Sequence, residues 1–197
     1  MEDAALLVID QQKGIDHPKL GPRNNPHAEA VILALLAYWH ERGRPVIHIR
    51  HRSSDPDSVF WPHQEGFEFK PAFHPGNNET AIEKTTPCAF TRTDLETILT
   101  RWGVGSIVIT GGATNNSVEA TARTAGCRGI KAYVVEDACF TFAKRDYRGQ
   151  MRSAETVHDM SLANLDGEYA EVVSSAKLLP LGVNAVNNGI HSARSKE

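Results

Sequence analysis

Short apolar runs alternate along this chain with longer segments in which apolar residues recur every three or four positions, and that alternation predicts the order of its elements. Ala4-Ala5-Leu6-Leu7-Val8-Ile9 is a continuous apolar run, as in a strand covered on both faces, and Asp10, Gln11 and Gln12 mark where it emerges. From Pro26 to Arg42 the residues Ala30, Val31, Leu33, Ala34, Leu35, Ala37 and Tyr38 fall on helical spacing, with Gly43 as a stop signal. Pro45 to His51 reads as a second strand. Periodicity then disappears from Arg52 to Ala81 and resumes in a short extended segment, Ala81 to Lys84. Thr91 to Trp102 reads as an amphipathic helix carrying Leu95, Ile98, Leu99 and Trp102, with Asp94 and Glu96 in its first turn, where the helix dipole favours acids. Ile107 to Ile109 and Gly129 to Asp137 read as strands, the latter ending in the acids Glu136 and Asp137. Gly149 to Leu165 reads as a helix with Met151, Ala154, Val157, Met160 and Leu162 inward, and Glu168 to Ser174 as a last strand. With right-handed crossovers this order predicts an α/β fold, a doubly wound parallel sheet with helices on both faces.

The stretch from Ile107 to Arg123 organises the rest. β-Branched residues run into Thr110, Gly111 and Gly112, and helical spacing starts at about Ser117, so the chain makes a buried strand, a tight turn and a helix N-terminus. Gly111 and Gly112 can take backbone angles closed to other residues, and the first N–H groups of the helix point into the turn. Ser117 stands where a nucleophile or an anion-facing hydroxyl would stand; as a plain helix cap it has a structural reading too. Asp10 is a second site candidate, because ligands of open parallel sheets gather at the carboxyl ends of strands.

At 197 residues, with 41% hydrophobic and 23% charged, the chain fits one globular domain over residues 1–181, with 182–197, rich in Asn, Ser and Lys, as a flexible tail. A net charge of -3, with the basic residues dispersed, argues against a nucleic-acid partner and for a small-molecule one. The N-terminal apolar run is too short for a signal peptide or a membrane span, so the expectation is a cytoplasmic protein with no membrane partner. Three unpatterned cysteines, Cys88, Cys127 and Cys139, argue against a disulfide framework and a zinc site, with at least two expected in the core. His48 and His51, three apart in a strand, face opposite sides, so no metal is expected there. The 52–81 excursion, with Phe60 and Trp61, reads as a pocket wall or as a loop pinned to the body or to another subunit, and it points to a homo-oligomer. Gln12, Phe90 and Asn116 complete the expected pocket.

Taken together, Val8-Ile9-Asp10, Lys84 followed by Ala89-Phe90, Thr93-Asp94-Leu95, the run Gly112, Thr114, Ser117, Val118, Thr121 and Ala122, and finally Val134, Val135, Asp137 and Ala138 resemble the isochorismatase-like, or cysteine hydrolase, family from about Ala4 to Val173. The resemblance implies a catalytic triad at Asp10, Lys84 and position 117, where cysteine members carry a thiol and this chain carries serine. It implies a cis peptide at Gly112-Ala113 that turns the Ala113 N–H toward the same point as the Ser117 N–H, an oxyanion hole worth roughly 3 kcal/mol per donor to a transition state. Asp10 would act as general base and then acid, and Lys84 would hold it ionised. The implied activity is hydrolysis of a small molecule, at an amide-type C–N bond if Ser117 is a nucleophile. Without one, the alternatives are an isochorismatase-type vinyl-ether hydrolase working through Asp10 and a silent family member acting as a scaffold. Some amidase members bind a metal through an Asp-x-His pattern. His51-Arg52-Ser53 stands at that place, so neither metal nor cofactor is carried over. A dinucleotide-binding reading of Gly111-Gly112 fails because the glycine fingerprint after the first strand is missing.

Overall fold

A computed structural model describes residues 3–180; the predicted tail at 182–197 lies outside the described residues. The strands are β1 (Ala5–Ile9), β2 (Val46–His51), β3 (Thr80–Lys84), β4 (Ser106–Gly112), β5 (Lys131–Phe140), β6 (Lys144–Arg145), β7 (Met151–Arg152) and β8 (Glu171–Val173). The helices are α1 (Ala28–Glu41), α2 (Leu95–Arg101), α3 (Glu119–Cys127) and α4 (Ala154–Ala163). Six strands form one parallel sheet in the order β3-β2-β1-β4-β5-β8, while β6 and β7 form a separate antiparallel hairpin. No helix among the described residues is long and apolar enough to cross a membrane.

The unbroken apolar run of β1 follows from its central position. Ala5, Leu7 and Ile9 join Leu95, Leu99, Val118 and Ala122 in a core on the α2 and α3 side. Ala4, Leu6 and Val8 face Val31, Ile32, Leu35 and Trp39 of α1 on the other side. Successive side chains of a strand alternate faces, so a strand between two helix layers needs apolar residues at every position. The sheet winds outward from β1 through β2 to β3, then returns to β4 on the other side of β1. The carboxyl ends of β1 and β4 therefore flank the topological switch point, where open α/β sheets hold ligands. The two strands approach closely there: a Cβ on Gly111, at φ +112, would lie 2.1 Å from the Ile9 carbonyl oxygen.

Four expectations need correction. The extended segment ending at Lys84 is the full edge strand β3, starting at Thr80, with Ala81 and Glu83 exposed on one face and Ile82 and Lys84 buried on the other. β5 does not end at Glu136 and Asp137 but runs to Phe140, with a register shift opposite Ile109 and Gly111 that accommodates the acids. Asp137 accepts hydrogen bonds from the Ser175 backbone N–H (2.8 Å) and hydroxyl (2.5 Å). The predicted helix from Gly149 starts only at Ala154, capped by the Ser153 side chain. Met151 belongs to β7, and it and Met160 are exposed; the inward residues are Ala154, His158, Ser161 and Leu162. Apolar spacing misled there because buried polar residues of α4 serve hydrogen bonds instead of the core. Cysteine burial also falls short of expectation, with Cys139 buried, Cys88 half-buried and Cys127 exposed.

The 52–79 excursion is held by polar contacts. Gln12 donates to the carbonyls of His51 (3.0 Å) and Phe67 (2.9 Å) and accepts from the His51 N–H (2.8 Å). Lys70 Nζ donates to Glu29 (2.7 Å), which also accepts from Arg23 (2.7 Å). Burial pushes the Glu29 carboxyl up, but these two cations outweigh it and hold the group below the usual range.

Candidate active site

Three buried polar side chains meet at the switch point. Asp10 follows β1 with φ +54, a left-handed conformation that redirects the chain out of the strand, and its N–H is anchored to the Ile49 carbonyl at 2.7 Å. Lys84 closes β3 in register with His51 of β2. Ser117 lies in a single π-type turn, Thr114–Val118, that follows the cis peptide Gly112-Ala113 and leads into α3. Helical structure thus begins at Thr114, ahead of Ser117, as a π-type turn that becomes α-helix at Glu119.

Asp10 Oδ2 joins the group. It accepts from Lys84 Nζ at 2.8 Å and from the Ser117 hydroxyl at 2.7 Å, while Lys84 Nζ lies 3.1 Å from Ser117 Oγ and donates to it. All three residues are at most 3% exposed, so water barely screens their charges. The ammonium and the carboxylate neutralise each other, which is how such a pair tolerates burial. Asp10 Oδ1 is buried without a hydrogen-bond partner among the described residues.

These groups open into a cavity of about 460 Å3. Ile15, Leu20, Phe60, Pro87 and Phe142 supply its apolar lining; His51, Ser58, Asn115, Asn116, Thr141 and Lys144 supply its polar lining, beside Asp10, Ala113 and Ser117. Burial holds the His51 imidazole below its ordinary pKa, and the charge of Lys84 adds to the effect against the pull of Asp10. At neutral pH it is an uncharged donor and acceptor on the wall.

Of the predicted pocket residues, Phe60 and Asn116 line this cavity and Gln12, Trp61 and Phe90 do not. Gln12 is consumed in tying the excursion to β2. Phe90 is packed into the core beneath the Arg128 guanidinium, and Trp61 is half-buried beside His63. Sequence reasoning missed Thr141, Phe142 and Lys144, which follow the carboxyl end of β5. The strand-end rule that picked out Asp10 finds them once β5 is extended to Phe140.

Helix α4 fixes the turn that carries Ser117. His158, 5% exposed, lies 2.8 Å from Thr114 Oγ1 through Nδ1. Burial lowers the pKa of this ring below the ordinary imidazole value, so a neutral imidazole pairs with the Thr114 hydroxyl. The Ser161 hydroxyl reaches the Thr114 carbonyl (3.1 Å) and Glu119 (2.6 Å). Among the described residues no group of three His, Cys, Asp or Glu side chains is placed to hold a metal ion.

Comparison with known proteins shows the family and the fold. The isochorismatase domain profile matches residues 4–177. The isochorismatase family protein YrdC of Bacillus subtilis is 38% identical over 178 residues, 90% of this chain and 95% of that protein. Nicotinamidase 3 of Arabidopsis thaliana is 33% identical over 195 residues, 89% of this chain and 86% of its own. A solved structure of an isochorismatase-family protein from Chromobacterium violaceum superposes with a TM-score of 0.87 at 49% identity, covering 90% of this chain and 92% of the other. With the family profile spanning nearly all the described residues and the α/β architecture shared, the chain belongs to the isochorismatase family of hydrolases.

Proposed function

We propose that the protein hydrolyses an amide-type C–N bond of a small molecule with Ser117 as nucleophile, Asp10 as its base and Lys84 as its electrostatic support. The observation that carries this reading is the shared oxygen: Asp10 Oδ2 holds both the Ser117 hydroxyl and the Lys84 ammonium, at 2.7 and 2.8 Å. A serine hydroxyl is a weak nucleophile unless a base takes its proton as it attacks. Asp10 is placed to do so, and Lys84, 3.1 Å from Oγ, opposes the charge that develops there.

In this mechanism Ser117 Oγ forms a bond to the carbonyl carbon while its proton passes to Asp10. The carbonyl oxygen takes up negative charge, which the backbone N–H groups of Ala113 and Ser117, two residues of the cavity lining, would stabilise. Collapse breaks the C–N bond, and Asp10 gives its proton to the departing nitrogen. Water then attacks the acyl-serine ester with Asp10 again as base, releasing the acid and restoring the hydroxyl. The similarity to a nicotinamidase supports the amide bond as the target.

A second reading rests on Asp10 Oδ1, the buried oxygen without a partner. Once Asp10 has taken up a proton from solvent, this oxygen is the one left to pass it to the carbon of a vinyl ether, with water then adding to the cation formed and returning a proton, and that chemistry needs no nucleophile. One pair of variants separates the readings. If Ser117 is the nucleophile, Ser117→Ala abolishes amide hydrolysis, and intact-mass spectrometry of the unaltered protein with slow-turnover amides detects a covalent acyl adduct. Ser117→Cys retains or raises that activity, because a thiol supplies more of the ionised nucleophile at pH 7. Undiminished amide turnover by Ser117→Ala would refute the nucleophile role. Retained turnover of isochorismate by both variants would establish the protonation chemistry.

A further inference from the structure

We propose that the substrate carries a carboxylate at the end away from the scissile bond, and that Lys144 recognises it. This specifies the substrate class of the site above and rests on that reading for the bond cleaved, though not for the binding.

The first observation is the charge balance of the cavity. Its one acidic lining residue, Asp10, is already neutralised by Lys84. Lys144, on the same wall, has no acidic side chain at ion-pair distance among the described residues. The lining therefore includes one unopposed cation, Lys144, together with the polar residues Asn115, Asn116 and Thr141 and the apolar Phe60 and Phe142. A single cation with amide and hydroxyl donors beside it suits a monoanionic carboxylate; a phosphate dianion would call for a second cation or a nest of backbone N–H groups.

The second observation is the hairpin that carries Lys144. In a chain of net charge -3, residues 144–152 hold four cations, Lys144, Arg145, Arg148 and Arg152, against the single acid Asp146. That acid is fully engaged within the hairpin, accepting from Arg152 Nη2 (2.7 Å) and from the N–H groups of Arg148 (3.0 Å) and Gln150 (2.9 Å). The β6–β7 pairing of Lys144 with Arg152 fixes the lysine's backbone, so it stands on an ordered rim. A neighbouring cavity of about 700 Å3 shares Asn115 and Lys144 with the cavity beside Asp10 and is also lined by Arg145 and Arg152 and by the acids Asp146 and Glu119, which are paired with Arg152 and Arg123. The hairpin that carries Lys144 thus has an excess of positive charge on a mildly acidic molecule, which raises the local concentration of small anions beside it.

The test uses two matched pairs, succinamate against succinamide and 4-carbamoylbenzoate against terephthalamide, titrated into the unaltered protein, Lys144→Met and Lys144→Arg by ligand-observed NMR. At least one monoanion should bind the unaltered protein about tenfold more tightly than its neutral partner, as expected for one partly exposed charge-assisted contact. Lys144→Met should erase that preference, Lys144→Arg should keep most of it, and raising salt from 50 to 300 mM should shrink it. Equal binding within both pairs, or a preference that survives Lys144→Met, would overturn the proposal. Since binding needs no turnover, a Lys144-dependent preference in a protein that cleaves neither amide would leave the carboxylate subsite standing and remove only the amidase reading.

Discussion

Breaking the Lys84–Asp10 pair tests both the site and its energetics. The pair is 2.8 Å apart with side-chain exposures of 0% and 5%, so solvent offers neither charge an alternative partner. Coulomb's law at an effective dielectric of about 20 gives about 6 kcal/mol of attraction at that separation, largely offset by the desolvation of both groups. Lys84→Met removes the attraction and leaves the desolvation of Asp10 in place. A buried charge stranded in this way costs about 3–5 kcal/mol. For a protein of this size that lowers Tm by about 10 °C, at 2–4 °C per kcal/mol. The measurement is urea unfolding at pH 7.5 followed by tryptophan fluorescence, on Lys84→Met, Asp10→Asn and the double variant. Because Asp10→Asn removes the stranded charge, the double variant should be more stable than the sum of the single losses implies by at least about 2 kcal/mol. Additivity within about 0.5 kcal/mol would show that the two groups are not coupled and would refute the electrostatic account of the site.

Further expectations concern pH and the backbone at the switch point. Burial holds His48, His51 and His158 below the ordinary imidazole pKa, in His48 against the pull of Glu79. The unfolded chain therefore takes up protons near pH 6.5 that the folded one refuses, and stability should be full above that pH and fall as pH drops below it; an equal or higher urea midpoint at pH 5.5 than at pH 7.5 would contradict this. Gly111→Ala should cost more than about 3 kcal/mol, since φ is +112 and the new Cβ would lie 2.1 Å from the Ile9 carbonyl oxygen. Gly105→Ala, where a Cβ meets nothing within 4 Å, should stay within about 1 kcal/mol of the unaltered protein, and similar losses at both positions would argue against the close approach of β1 and β4.

The sequence by itself determined the layers and the place of the chemistry. An apolar residue at every position of β1 can be satisfied only between two covering layers, and the polar residues after Ile9 and the glycines after Thr110 mark the two strand ends that flank the switch point. As site candidates, Asp10 and Ser117 were legible from the strand end and the glycine turn, whereas Lys84 was legible only through the resemblance to a family pattern, since no local periodicity singles it out at the end of a short edge strand. Tertiary structure alone decided how their polar atoms meet, since Asp10 and Ser117 are 107 residues apart and converge through strand order. It also decided the pocket wall. Gln12, Trp61 and Phe90 have the right residue types, but hydrogen bonding to β2 claims Gln12 and core packing claims Phe90. Thr141, Phe142 and Lys144 take their places because the register shift carries β5 on to Phe140. The inward face of α4 eluded the apolar pattern for the same physical reason. His158 and Ser161 are buried to hold the Ser117 turn by hydrogen bonds, and a polar side chain satisfied across the fold leaves no trace in hydrophobic periodicity.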